Sequence, residues 1–232
     1  MLRIRNLSVR YGRFQALTDV TLDIREGGYV HGIIGPNGAG KSTFMDAVTG
    51  RRRPSSGQVL LDGADISRKS VGWRRRAGIS RSFQKTSIFP EATIGAQLNL
   101  VARHLDAENL DKTIEVLDLA GHMDDRAGSV AYGIQRRVDV ALALLGKPRV
   151  LLLDEPGAGL STEETLNLFR HLQDLVRETG VSAIVVEHDV HAVFSCCERI
   201  SVLDLGRHLM TGTSDEVRAD HRVITAYLGS ST

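Results

Sequence analysis

The sequence predicts an α/β fold in which a parallel-sheet core carries an antiparallel β layer and an inserted helical subdomain. Residues 150–153 and 181–186 are apolar segments typical of buried strands, and a stretch with helical spacing separates them. Strand, helix and strand in this order imply parallel pairing through a right-handed crossover. A third β-rich segment, residues 29–34, ends in a glycine-rich loop that a helical stretch follows, which is how an α/β core begins.

The antiparallel layer is predicted from the first part of the chain. Residues 2–11 and 20–24 are short alternating segments, and residues 58–62 form another behind a turn rich in Pro, Ser and Gly at 54–57. Between them, residues 42–49 predict a helix. We expect the three strands to form a small sheet beside the core.

The helical subdomain is predicted from the middle of the chain, which lacks strand-like segments. From about residue 93 to residue 146 the apolar side chains recur at helical spacing, so we predict an inserted subdomain over about residues 91–147. Beyond it, residues 161–164 read Ser-Thr-Glu-Glu and fit a capping box that opens a helix ending at Gly180.

Length and composition fit one globular domain, residues 1–232. Hydrophobic residues make up 42% of the chain, and its longest apolar runs fall far short of the roughly 20 residues that span a membrane. The N-terminus lacks the apolar run of a secretory signal, so we expect a cytoplasmic protein. The formal net charge of +1 gives no overall attraction to nucleic acid, so no such partner is predicted. Cys196 and Cys197 are adjacent, a spacing that disfavours a disulfide, and are predicted to be reduced thiols.

The glycine-rich loop at residues 35–42 reads Gly-Pro-Asn-Gly-Ala-Gly-Lys-Ser and matches G-x-x-x-x-G-K-[ST], with a strand before it and a helix after it. The glycines let backbone N–H groups turn toward phosphate oxygens, and the helix N-terminus adds its positive dipole end. Lys41 is predicted to reach the terminal phosphates and Ser42 to hold Mg²⁺. The nucleotide-binding residues predicted in this loop and its helix are Asn37, Gly38, Ala39, Gly40, Lys41, Ser42 and Thr43.

The segment Val-Leu-Leu-Leu-Asp-Glu at residues 150–155 predicts the second half of such a site. A buried parallel strand that ends in a carboxylate places Asp154 beside the phosphate loop, where it can hold Mg²⁺. Glu155, one residue further, is then the candidate to orient and deprotonate an attacking water molecule.

These two motifs, with further segments in the same chain order, resemble the ATP-binding cassette of ABC transporters, and the resemblance covers the whole chain. It implies that Gln84, in Ser-Phe-Gln, couples the γ-phosphate and Mg²⁺ to a membrane partner. His188, in Glu-His-Asp after a late strand, would sense the γ-phosphate. By the same analogy Tyr11, just ahead of Gly12, would stack on adenine.

The family's signature loop, usually Leu-Ser-Gly-Gly-Gln, aligns with Val-Ala-Tyr-Gly-Ile at residues 130–134. Gly133 is retained and is predicted to contact nucleotide bound by a second cassette, whereas Ala131 replaces the serine. The loop at 157–161, Gly-Ala-Gly-Leu-Ser, also departs from the common Ser-Ala-Leu-Asp type. The missing hydroxyl favours a heterodimer with a cassette whose signature is intact.

The departures themselves are informative. Ala-Tyr-Gly followed by Gln-Arg-Arg, the Glu-His-Asp triplet at 187–189 and Ala-Tyr-Leu-Gly at 226–229 resemble one of the two ATPases of branched-chain amino acid importers, and urea-type importers look similar. The resemblance implies MgATP hydrolysis that powers solute uptake. It also implies a second ABC ATPase subunit, transmembrane permeases and an external solute-binding protein as partners, with this chain peripheral at the cytoplasmic face of the cell membrane.

Two other classes remain as alternatives. A soluble cassette that acts on DNA or the ribosome typically carries a long coiled-coil insertion or a second cassette in tandem, and the sequence shows neither. A P-loop kinase gives no reason for Gln84, His188 and the Gln-Arg-Arg segment at 135–137 to occur together. The transported solute is left open, because a cassette of this family does not touch it.

Overall fold

The computed structural model describes residues 2–83, 86–146 and 148–228. The strands are β1 (Leu2–Tyr11), β2 (Phe14–Ile24), β3 (Val30–Ile34), β4 (Ser56–Leu61), β5 (Ala64–Asp65), β6 (Ile79–Ser82), β7 (Val150–Asp154), β8 (Ser182–Val186), β9 (Arg199–Asp204) and β10 (Arg207–Gly212). The helices are α1 (Lys41–Thr49), α2 (Val71–Arg76), α3 (Ile94–His104), α4 (Leu110–Val116), α5 (Tyr132–Leu144), α6 (Thr162–Thr179), α7 (Val190–Cys196), α8 (Ser214–Ala219) and α9 (His221–Leu228). A 3₁₀ turn at Ala120–His122 lies between α4 and α5.

The larger sheet has the strand order β10-β9-β3-β8-β7-β6 and is parallel except for β10. Every residue of β3, β7 and β8 is buried, which suits strands covered on both faces of an α/β core. Because these three strands are parallel neighbours, their carboxyl ends meet at one edge of the sheet. That edge carries the candidate site.

The smaller sheet is antiparallel, with the order β2-β1-β4-β5. Its strand β2 starts at Phe14, earlier than the strand predicted at 20–24, because a tight turn at 12–13 folds it directly back on β1. Asp19, with φ of 51°, interrupts the alternation within the strand. Apolar side chains of this sheet, such as Ile4 and Leu17, share a buried cluster with Phe44 of α1, so α1 is packed between the two sheets.

Helices α3, α4 and α5 follow one another between β6 and β7, in the segment predicted to be helical. Their buried side chains, including Leu98 and Val138, belong to the same apolar cluster as Leu151 of the parallel sheet and Phe169 of α6. The subdomain limits of about 91–147 stay a prediction. Among residues 2–83, 86–146 and 148–228, no helix is long and apolar enough to span a bilayer.

Candidate nucleotide-binding site

The phosphate loop runs from the end of β3 to the start of α1. Gly40 has φ of 98°, a left-handed conformation that glycine adopts without strain. A Cβ atom there would lie 2.6 Å from Leu17 Cδ2 and 2.9 Å from the Ala16 carbonyl oxygen, so any side chain would collide with β2. Both the left-handed φ and the lack of space for a side chain therefore require glycine at this position.

Lys41 is buried at the first position of α1, and its ammonium is held inside the turn of the loop. Nζ donates to the Gly35 carbonyl at 2.6 Å and to the Pro36 carbonyl at 3.1 Å. Burial lowers the pKa of Lys41, while the carboxylates of Glu155 and Asp154 oppose that shift. Hydrogen bonds to charged groups are the strong ones, so the cation is fixed where phosphate oxygens would enter the loop.

A cavity of about 340 Å³ opens beside the loop. Its walls are Phe14, Ala16, Asn37, Gly38, Ala39, Gly40, Lys41, Ser42, Thr43, Glu155 and His188. The structure thus brings the predicted loop residues together with residues that follow β7 and β8. A larger cleft of about 680 Å³ lies on the other side of Asn37, against α9, but it is lined by neither Lys41 nor Glu155. The chemistry favours the smaller cavity.

Asp154 ends β7 and is held by an arginine that the sequence analysis did not single out. Arg81 Nη2 lies 2.6 Å from Asp154 Oδ2, and Nη1 lies 2.6 Å from Asp46 Oδ1 on α1. The Arg81 and Asp154 side chains are both nearly buried, so this ion pair is shielded from water. Mg²⁺ commonly takes one or two carboxylates together with phosphate oxygens, and the Asp154 carboxylate and Ser42 hydroxyl supply hard oxygen ligands of that kind.

Glu155 and His188 meet at the cavity. His188 Nε2 lies 2.7 Å from Glu155 Oε1, and the side chains are 50% and 12% exposed for His188 and Glu155 respectively. The Glu155 backbone has φ of 48°, a left-handed conformation that is uncommon for residues other than glycine. Its N–H donates to the Val186 carbonyl at 2.8 Å, which ties it to β8.

Glu187 is a second buried carboxylate beside His188. Its side chain accepts the Gly157 N–H at 2.6 Å and the His188 N–H at 2.9 Å, so it joins the loops that follow β7 and β8. Burial raises the pKa of Glu187, and those backbone donors oppose the shift. From the sequence, Glu187 was predicted only as part of the subfamily pattern, with no role of its own.

Two aromatic residues flank the turn between β1 and β2. Tyr11 is 40% exposed, with the Arg52 guanidinium 4.1 Å from its ring centre, and does not line the cavity beside the phosphate loop. Phe14, which is 66% exposed, does line it. Phe14 was not predicted, since an aromatic residue at the start of a strand gives no sign of whether its side chain faces the loop.

Gln84 lies outside the described residues. Phe83, immediately before it, is flanked by two guanidinium groups: those of Arg51 and Arg81 lie 4.8 Å and 4.9 Å from its ring centre. Phe83, the residue before Gln84, is therefore close to the arginine that binds Asp154.

The signature loop lies elsewhere. Ala131 is the N-cap of α5 and provides no side-chain cap, and Gly133 lies in the first turn. Both border a separate cavity of about 300 Å³, so Gly133 does not join the phosphate-loop cavity within the chain. Tyr132 packs toward the loop after β7, where a Cβ on Gly159 would lie 3.1 Å from the tyrosine ring at Cε1.

The loop joins a buried strand to a helix and holds a buried lysine. Carboxylates and a histidine lie beside it, at the ends of neighbouring parallel strands. This arrangement defines a P-loop ATPase. A family model described as "ABC transporter" matches residues 17–158, and one described as "Branched-chain amino acid ATP-binding cassette transporter" matches residues 207–231. The chain belongs to the ABC transporter family.

Similar proteins match this chain along its full length. The chain is 35% identical to the high-affinity branched-chain amino acid transport ATP-binding protein BraF of Pseudomonas aeruginosa, over 100% of this chain and 98% of that protein. It is 32% identical to LivG of Escherichia coli (strain K12), with the same coverage. The crystal structure of the ADP conformation of MJ1267, an ATP-binding cassette of an ABC transporter, superposes with a TM-score of 0.89 at 28% identity, over 99% of this chain and 98% of that one.

These findings confirm the predicted fold class, the family resemblance and the ATPase activity. The chain is an ATPase subunit of the transporter family, and nucleotide binding follows from membership. The roles of individual site residues stay predictions.

Proposed function

We propose that the chain binds MgATP in the cavity beside the phosphate loop and hydrolyses it to power uptake of a small solute. The observation that carries the proposal is the approach of His188 Nε2 to Glu155 Oε1 at 2.7 Å, in a cavity that Lys41 also lines. A candidate base, a group suited to the γ-phosphate and a cation for the phosphates converge there from three separate segments of the chain.

The proposed mechanism assigns one task to each group. Backbone N–H groups of the loop and Lys41 bind the β- and γ-phosphates. Ser42, Asp154 and Gln84 would hold Mg²⁺, which would supply positive charge to the phosphates. Glu155 accepts a proton from the attacking water, and His188 holds the Glu155 carboxylate in position relative to the γ-phosphate.

The solute class is proposed from the relatives. BraF and LivG are named as branched-chain amino acid transport proteins, and the C-terminal family model carries the same description. We extend that solute class to this chain, with a urea-type importer as the alternative. A soluble non-transport ABC ATPase is the third and weakest alternative.

The proposed partners are transmembrane permeases, an external solute-binding protein and a second ABC ATPase subunit, with the chain at the cytoplasmic face of the membrane. A groove of about 230 Å³ next to Phe83 supports a permease contact, because it is lined by Val71 and Leu142 as well as by Arg51 and Arg75. Such a mixture of apolar and basic side chains suits a short amphipathic segment.

The second ATPase subunit is proposed to differ from this one. In a nucleotide sandwich the signature serine donates to the γ-phosphate across the interface, and Ala131 has no hydroxyl to do so. Pairing with an intact signature leaves the site built on Lys41 and Glu155 fully equipped. The proposal therefore makes this chain's own catalytic residues part of the more active site.

The test is the variant Glu155→Gln in the complex that copurifies with the full-length chain. Loss of the base should lower ATP turnover by about 10²–10⁴-fold while MgATP binding is retained. Glu163→Gln, an exposed carboxylate in the first turn of α6, is the matched control and should hydrolyse ATP normally. Normal turnover by Glu155→Gln would remove Glu155 from the mechanism.

A further inference from the structure

Arg136 is a fully buried arginine on α5, three residues beyond Gly133 of the signature loop, and it is 1% exposed. Its two terminal nitrogens point to two different segments of the nucleotide-binding core. Nη1 donates to the Phe83 carbonyl at 2.8 Å, and Nη2 donates to the Glu155 carbonyl at 2.7 Å. One side chain thus contacts the backbone on both sides of the site.

Arg136 also forms a buried ion pair with Asp139 on the same helix, but its hydrogen bonds go to other groups. The Asp139 carboxylate lies 4.0 Å from Nη1, beyond hydrogen-bonding distance. A planar guanidinium presents its donors in a fixed fork, which is why it can hold two acceptors in a defined relation. Burial of a cation is costly unless its donors are used, and here both terminal nitrogens, though not Nε, donate to carbonyl groups of the site.

The two acceptors are at positions where backbone orientation matters. Phe83 directly precedes Gln84, the predicted link between the γ-phosphate and the membrane partner. Glu155 is the proposed base, and its left-handed φ of 48° is a conformation that neighbouring contacts must maintain. A rotation of that peptide would swing the Glu155 carboxylate away from His188 Nε2.

We propose that Arg136 is a positioning residue that ties α5, the helix opened by the signature loop, to the backbone of the catalytic carboxylate. It acts through Glu155 and touches no reacting atom. Since α5 begins at the loop predicted to contact the partner's nucleotide, movement of that helix would reach Glu155 of this chain through Arg136. The inference rests on the proposed role of Glu155 as the base.

Arg137, the next residue, provides a matched control. It lies on the same helix and also donates to backbone carbonyls, those of Leu117 at 3.1 Å and Asp118 at 3.0 Å, with an ion pair to the Asp118 carboxylate at 2.9 Å. Its acceptors belong to the connection after α4, away from the phosphate-loop cavity. Arg137→Gln removes a similar set of bonds from a different place.

The first measurement separates binding from turnover in the purified complex. A misplacement of about 1 Å can cost about 10²-fold in rate, so Arg136→Gln should lower kcat by about 10- to 100-fold. The dissociation constant for MgATP should stay within about two-fold, because Lys41 and the loop are untouched. Arg136→Lys, which keeps the charge but cannot span both carbonyls, should be intermediate, and it serves if the Gln variant does not fold. A parallel loss of binding and turnover, or an equal loss of kcat in Arg137→Gln, overturns the proposal.

The second measurement is a double-mutant cycle with Glu155→Gln. If Arg136 acts through Glu155, an Arg136 substitution adds little further loss once the base is absent. If the losses of kcat from the two single substitutions multiply in the double variant, Arg136 acts on another group and the proposal is overturned. Normal turnover in Glu155→Gln alone would instead refute the proposed function, so the two failures are distinguishable.

Discussion

The phosphate loop and the signature loop each open a helix, but they are supported in different ways. Before α1 the turn is closed mainly within the loop: Gly40 takes a left-handed φ, and Lys41 donates to carbonyls five and six residues earlier. Its distant contacts are to backbone, since the Gly206 N–H donates to the Ala39 carbonyl at 3.1 Å. Before α5 the N-cap is Ala131, which contributes no cap, and the helix is instead fixed by distant contacts of Tyr132 and Arg136.

The difference shows how each half of a nucleotide site is held in place. The phosphate half is the loop around Gly40 and Lys41, and the signature half is the loop around Ala131 and Gly133. In the phosphate half the lysine is held by carbonyls of its own loop, so replacing Lys41 should remove function without disturbing the rest of the chain. The signature half depends on distant neighbours, since a Cβ on residue 159 would press on the Tyr132 ring at 3.1 Å. Changes in that half should act through their neighbours.

The largest effect is expected from Lys41→Ala. The terminal phosphates would lose their fixed cation in a site built from neutral backbone donors, and turnover should fall by at least about 10²-fold. ATPase activity of the assembled complex measures it. Lys112→Ala, which removes an exposed lysine paired with Glu178, is the control that should keep activity. Wild-type activity in Lys41→Ala would break the local account of the phosphate half.

The next effect concerns the aromatic residue beside the loop. If Phe14 stacks on adenine, Phe14→Ala should weaken nucleotide binding by about 1–3 kcal/mol, a range taken from base stacking on nucleic-acid-binding proteins. Tyr11→Ala should weaken it less, because that ring packs against Arg52. Titration of nucleotide into each folded variant decides between them. A larger loss in Tyr11→Ala would restore the assignment made from family analogy.

Acid should destabilise the folded chain through His31 on β3, the strand that leads into the phosphate loop. Burial, with repulsion from Arg199 and His208, lowers the pKa of His31 from 6.5 to about 3. The unfolded chain therefore binds a proton near pH 6.5, whereas His31 in the folded chain binds one only near pH 3. The free energy of unfolding consequently falls as the pH drops through that window, by about 2 kcal/mol at pH 5.

Denaturant unfolding between pH 8 and pH 5 tests this dependence. His31→Gln should flatten it, whereas replacing His104, which is exposed on α3, should leave the slope intact. An unchanged slope in His31→Gln would assign the acid sensitivity to other groups.

The smallest effect is expected from restoring a hydroxyl at the signature loop. Ala131→Ser supplies the N-cap that α5 lacks and should raise the free energy of unfolding by about 0.5–2 kcal/mol. Ala131→Gly caps nearly as well but brings no hydroxyl, so it should stabilise the chain without raising turnover at the site that this loop completes. If both variants change turnover equally, the missing hydroxyl is not what limits that site.

Local patterns were enough to predict the phosphate loop and the strand that ends at Asp154 and is followed by Glu155, because each motif sits at a strand or helix boundary that the sequence marks. His188 was predicted only through the family resemblance. Strand β6 was missed because its residues Ser80, Arg81 and Ser82 are polar although they are largely buried. The strand β9 and hairpin partner β10 were missed as well, since that part of the chain carries no chemical motif.

The residues that hold the site in place were not predictable from local pattern. Arg81 lies 73 residues from its partner Asp154, and Arg136 lies 53 residues from Phe83 and 19 from Glu155. Such contacts exist only once the parallel strands and α5 have come together. A charged residue in a strand or helix gives no indication in the sequence of which distant group it binds.

The most direct test of the central claim compares the two glutamates of a working transporter. In the assembled complex, Glu155→Gln in this chain is set against the equivalent change in the partner cassette, and solute uptake is measured for each. The account predicts that the change in this chain causes the larger loss, because its site is completed by an intact signature while the partner's is completed by the loop at Ala131. Equal losses, or full-speed hydrolysis by a homodimer of this chain, would contradict it.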